Sequence, residues 1–138
     1  AGERVQQQTQ VGLLGFMVPP ELHLIDVFGL GDPLLARLPL TNTDGEPIFR
    51  HKVDALGRFW RPGHLRRNQP AGYRESLASN ENRIQDPSLA RYYGAVRMLT
   101  RAPIWSRERW RVLIDFHLGR YSGDLVKWRS EQPAREPG

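Results

Sequence analysis

The chain has 138 residues and a mass of 15.9 kDa, one domain's worth, and its 39% hydrophobic content with four tryptophans excludes disorder throughout. Twenty Lys and Arg against fifteen Asp and Glu leave a formal charge of +5 and a sequence pI near 10.2, which points to an anionic or polyhydroxylated partner. The lack of cysteine excludes disulfides, zinc–thiolate sites and a thiol nucleophile, and no window approaches 18 uninterrupted apolar residues, so no segment reads as a membrane-spanning helix.

Residues 1–10 are polar and rich in Gln, and read as a frayed linker. Val11–Val18 is a short apolar run closed by Pro19-Pro20, which predicts a buried strand. Leu22–Phe28 predicts a second strand beside it, parallel or antiparallel. Gly29-Leu30-Gly31 turns the chain, and Asp32-Pro33 opens a short helix, with Asp as the N-cap and Pro at the first helical position. Pro39 ends that helix, and residues 41–58 read as a surface loop.

Gly72-Tyr73 leads into a brief helix centred on Glu75, Ser76 and Leu77. Asp86-Pro87 repeats the cap-plus-proline start, and Leu89, Tyr92, Tyr93, Val96 and Leu99 recur at helical spacing on one face. Pro103 stops this helix and Ser106 caps the next, where Trp110, Leu113, Ile114 and His117 make one apolar stripe with Arg107, Arg111 and Asp115 facing away. Gly119 suits the C-terminal cap, and the tail from Glu131 is polar and Pro-rich. The expected fold is a small, helix-rich α+β single domain over residues 11–128 with a short N-terminal β element. Residues 129–138 are expected to be a disordered tail.

Candidate sites follow from residue chemistry. Gly29-Leu30-Gly31 lacks the third glycine of a dinucleotide fingerprint, since Leu34 stands there, and a plain strand-to-helix turn explains it. Asp26, near the end of an apolar strand, needs either a structural arginine or a ligand hydroxyl as partner. Asp32 and Asp86 read more simply as helix caps. In the stretch Trp60-Arg61-Pro62-Gly63-His64 with Arg66 and Arg67, the cationic groups can converge on one anionic or hydroxylated group, or form a solvated basic loop anchored by Trp60. The four histidines show no metal-ligand spacing, so neither a metal nor a cofactor is expected in this segment, and His117 reads as a core or boundary residue.

Several segments, in order, carry a resemblance. They are Leu22-His23-Leu24-Ile25-Asp26, Gly29 to Pro39 (GLGDPLLARLP), Trp60-Arg61-Pro62-Gly63-His64, and Pro70-Ala71-Gly72-Tyr73. Asn82-Arg83-Ile84 with Asp86-Pro87, and Thr100-Arg101-Ala102-Pro103-Ile104-Trp105 before a Trp-rich helix, complete the set. Over residues 11–121 the chain resembles the C-terminal soluble domain of bacterial GT-C-type membrane glycosyltransferases similar to terminal β-(1→2)-arabinofuranosyltransferases.

That resemblance implies a preceding multi-helix membrane region that carries the catalytic acid, so this domain alone is expected to be inert. Its implied setting is the outer face of the bacterial cytoplasmic membrane. There it would cover the active-site cavity and help bind the acceptor glycan, which receives a sugar from a polyprenyl-phosphate donor. By resemblance and chemistry, the acceptor-binding residues are expected to be Asp26, Asp32, Arg61, His64, Tyr73, Asn82, Arg83 and Arg101. Implied partners are the membrane region of the parent chain, the glycan, the lipid-linked donor and an anionic membrane surface. The competing reading from pI and the Arg-plus-aromatic mixture is a nucleic-acid-binding module. Against it, the arginines are spread along the chain rather than gathered on one recognition helix.

Overall fold

A computed structural model describes residues 4–8, 11–38, 67 and 69–131. The architecture is the helix-rich α+β fold expected, with a two-stranded parallel sheet at the N-terminal end followed by mostly helical chain. The described residues fall into two compact units, one before Gln69 and one from Gln69 onward.

In the first unit, β1 (Val5–Gln8) pairs in parallel with β2 (His23–Asp26), placing Val5 opposite His23 and Gln8 opposite Asp26. Between them runs α1 (Val11–Met17). Parallel neighbours need a crossover of about a dozen residues or more, and residues 9–22 supply it. Two expectations are corrected here. Residues 1–10 contain a strand rather than only a frayed linker, because Val5 finds a buried place against β2. Val11–Val18 does not form the strand that partners β2. It is helical through Met17, and a short apolar run does not by itself distinguish the two states. Val5, Ile25, Val27, Leu34, Leu35 and Leu38 form the apolar interior of this unit. The helix expected after Asp32 is a single 3-10 turn over Leu35–Arg37.

The second unit contains α2 (Tyr73–Ser79), α3 (Pro87–Arg101), α4 (Arg107–His117) and α5 (Ser122–Glu131). The Asp86 carboxylate accepts from the Leu89 amide at 2.7 Å and the Ser106 hydroxyl from the Arg109 amide at 3.2 Å, so both caps are where the sequence placed them. Leu89, Tyr92, Tyr93 and Val96 are buried on the inner face of α3, and the ring of Tyr73 meets that of Tyr93 edge-on at 5.5 Å.

Gly119, at φ +72, closes α4 with the Gly119 amide donating to Phe116 and the Arg120 amide to Asp115, which satisfies two of the helix's terminal carbonyls. Helix α5 was not foreseen, and it carries the chain through residue 131 where a tail was expected from residue 129. Arg91 of α3 holds it by donating to both carboxylate oxygens of Asp124 at 2.9 and 3.1 Å, with its guanidinium over the Tyr121 ring.

Candidate ligand-binding surface

The expected site residues divide between structural joints and the surface. Asp26 is buried, with one carboxylate oxygen accepting from the Phe28 amide at 3.0 Å and the other from the Gly31 amide at 2.8 Å. A structural arginine, one of the two partners expected for it, does not reach its carboxylate among the described residues. Its partners among the described residues are backbone amides that lock the Gly29–Gly31 turn. Asp32 is also buried, and one of its oxygens accepts from the amides of Leu34 and Leu35 at 2.9 and 2.8 Å, as a helix cap does.

Arg67 completes this joint. Its amide donates to the Val27 carbonyl at 2.8 Å, its Nε to Phe28 at 3.3 Å and its Nη1 to Leu38 at 2.7 Å. Burial pushes its guanidinium below the usual arginine pKa. Arg67 is thus a clamp on the backbone around Asp26, not a free cation. Arg61, His64 and Arg66, like residues 41–58, lie outside the described residues.

In the second unit, Tyr73 is 2% exposed and belongs to the interior. Asn82 is exposed, yet its amide nitrogen donates to the Ala90 carbonyl at 2.7 Å and its oxygen accepts from the Ile84 amide at 3.3 Å. The Arg83 side chain pairs with Glu81 on the surface, while its amide donates to the buried Ser76 hydroxyl at 2.7 Å. Arg101 donates to the Asn80 side-chain oxygen at 2.6 Å, joined there by Arg97 at 3.0 Å. Within this unit the site residues cluster around the α2–α3 connection and the end of α3. Asn82 ties side chain to backbone, Arg83 and Arg101 pair side chain to side chain, and three of the four keep exposed side chains.

A different surface has the chemistry of a binding site. The apolar stripe of α4, Trp110, Leu113, Ile114 and His117, faces outward, and no residue of α4 is buried. The helix packs instead through half-buried Val112 and Phe116, whose ring meets Tyr92 edge-on at 5.6 Å and Tyr121 at 4.7 Å. This corrects the expected orientation. His117 is exposed rather than a core residue.

On the outer face, Trp105, Arg107, Trp110, Arg111, Ile114, Asp115 and Arg120 line an open groove of about 480 Å³. Trp105 is 85% exposed at its mouth. The side chains of Arg107 and Arg111, one turn apart, make no hydrogen bond or ion pair among the described residues, whereas Asp115 is bound by Arg120 at 2.6 Å. Rings for stacking, aliphatic side chains and unengaged guanidinium forks therefore share one surface. The sequence signal for it was the Trp-rich helix itself, which apolar spacing alone turned toward the core.

Among the described residues no group of three or more His, Cys, Asp or Glu side chains is placed to hold a metal ion, and no helix is long and apolar enough to cross a membrane. No family model, curated protein or solved structure matches the chain.

Proposed function

We propose that the chain is the extracytoplasmic soluble domain of a polyprenyl-phosphate-sugar-dependent membrane glycosyltransferase, arabinofuranosyltransferase-like, that acts in cell-envelope polysaccharide synthesis. It covers the active-site cavity of the parent's membrane region and helps bind the acceptor glycan. The catalytic acid belongs to that membrane region, and this domain supplies no reacting group.

The ordered motifs from Leu22 to Trp105 support the reading, and the structural observation that carries it is the outer face of α4. Two guanidinium groups without partners among the described residues lie there amid exposed indole and aliphatic side chains. That combination suits work beside an amphiphilic anion held in a bilayer, as a polyprenyl-phosphate sugar is. Asp26, Asp32 and Tyr73 are buried, so their part is to hold the backbone that presents the rest. Glycan contact is assigned to Arg61 and His64 by the resemblance, and separately to Asn82, Arg83 and Arg101, which are exposed in the second unit.

The experiment is calorimetric titration of the 138-residue chain with furanose-rich envelope oligosaccharides. Saturable binding that is lost in Arg61→Ala is the expected result. No heat with any envelope glycan, or equal binding by Arg61→Ala and the native chain, contradicts the assignment of glycan contact to Arg61.

A further inference from the structure

We propose that the outer face of α4 is a membrane-docking surface that lies in the headgroup region of an anionic bilayer. The inference deepens the membrane-side reading above by naming the partner of that face, and it rests on that reading only for its cellular setting.

Trp105, Trp110, Ile114 at 55% and Leu118 at 60% exposure stand on the outside of the second unit, with Ile104 exposed just before the helix. Trp110, Ile114 and Leu118 follow one another at successive turns, which makes a continuous row. The helix runs from Arg107 to His117, far shorter than the ~20 residues a span requires, so such a row can only lie along the interface and not across it. Indole rings favour that depth because one edge is apolar and the N–H remains in the wet layer.

The charge pattern selects the kind of surface. Arg107 and Arg111 flank the row and have no partner among the described residues, so both are available for lipid phosphate. Their methylene stems can lie along the apolar row while the guanidinium heads reach the phosphates. Asp115 on the same side is already bound by Arg120, which leaves Glu108, about 60° round the helix from Arg111, as one carboxylate against two arginines without partners among the described residues.

Other occupants fit less well. A glycan would use the rings and arginines but would leave Ile104, Ile114 and Leu118 in water. Nucleic acid has the same shortcoming. A second copy docked face to face would bring the unpaired arginines of both chains into one apolar contact.

The test is vesicle co-sedimentation of the 138-residue chain, with phosphatidylglycerol–phosphatidylcholine vesicles against phosphatidylcholine alone. Binding is expected to anionic vesicles and to weaken with added salt. Arg107→Gln/Arg111→Gln should weaken it about 25-fold, since each basic residue at an anionic surface contributes a factor of roughly five. Arg4→Gln/Arg37→Gln removes the same charge from exposed positions elsewhere and should have little effect.

Brominated lipids should quench tryptophan emission of the native chain, and less so in Trp105→Phe/Trp110→Phe, a readout that does not depend on the arginine variants folding. Four outcomes overturn the proposal: no vesicle binding, equal loss in both arginine pairs, tighter binding to DNA than to vesicles, or a dimer with shielded tryptophans that ignores lipid. The two readings fail separately. Vesicle binding without glycosyl transfer by the parent removes the enzyme assignment, and transfer without vesicle binding removes the docking face.

Discussion

The backbone carbonyl of Arg83 fills the space that a side chain on Gly72 would need. A Cβ built on Gly72 would stand 1.8 Å from that oxygen, and Gly72 has a φ of +83, where side-chain-bearing residues are strained. The same turn starts α2, so one contact fixes both the helix entry and the chain arriving at α3. Gly72→Ala should therefore cost at least about 2–4 kcal/mol, combining left-handed strain with a backbone clash that no rotamer relieves. Urea denaturation measures it as a lower midpoint, and a midpoint equal to the native one would contradict the packing.

Arg67 and Asp26 hold the first unit from opposite polarities, the cation on carbonyls and the carboxylate on amides. Arg67→Lys keeps the charge but replaces a fork by a single head, which cannot reach the Phe28 and Leu38 carbonyls together. It is expected to lose about 1–3 kcal/mol, and Asp26→Ala a similar amount, because each strips partners from part-buried backbone groups. The double variant should lose less than the sum if the two residues support one turn. A strictly additive cycle would show the two clamps to be independent.

The orientation of α4 makes a paired prediction. Leu113→Ser changes an exposed position and should move stability by no more than about 0.5 kcal/mol, whereas Phe116→Ala removes the ring packed on Tyr92 and Tyr121 and should cost about 2 kcal/mol or more. Thermal melting separates the two outcomes. The reverse ranking would mean that the apolar stripe packs inward.

Asn80 adopts the left-handed conformation at φ +56 and receives hydrogen bonds from Arg97 and Arg101. Asn80→Val should cost about 1–2 kcal/mol for a β-branched residue in that region. Asn80→Gly should lose only about 0.5 kcal/mol, as it keeps the backbone carbonyl that Arg97 binds and relieves the conformational restriction. Equal melting temperatures for the two variants would show that the arginine contacts, rather than the backbone angle, set the cost.

What the sequence disclosed was local. Asp86, Ser106 and Gly119 mark their helix ends because a cap depends on neighbours two to four residues away. The period of α3 was equally legible, since a long amphipathic face repeats its signal several times. The errors came where distant chain decides the state. Val5–Gln8 has three glutamines and no strand signature, and becomes a strand because β2 offers it a parallel edge. The run from Val11 to Val18 is too short for periodicity to choose between helix and strand, and the crossover needs a helix there.

In α4 apolar spacing picks out the face with Trp110 and Ile114, whereas the structure packs the face with Val112 and Phe116. The rings of Tyr92 and Tyr121 select the second. The candidate site was legible in the same uneven way. That Asp26 required a partner followed from burial of a carboxylate, but that backbone amides would provide it depended on the shape of the Gly29–Gly31 turn. The exposed groove was hidden because large apolar side chains read as core until the structure leaves them outside.

The most direct test of the central claim is sugar transfer from a polyprenyl-phosphate pentose to an envelope glycan, in membranes containing the complete parent protein. The account predicts transfer by the complete protein and its loss, by about 100-fold or more, when the segment corresponding to residues 11–128 is removed. The absence of transfer by the complete protein from any polyprenyl-phosphate sugar would contradict it, as would transfer that persists unchanged without this domain.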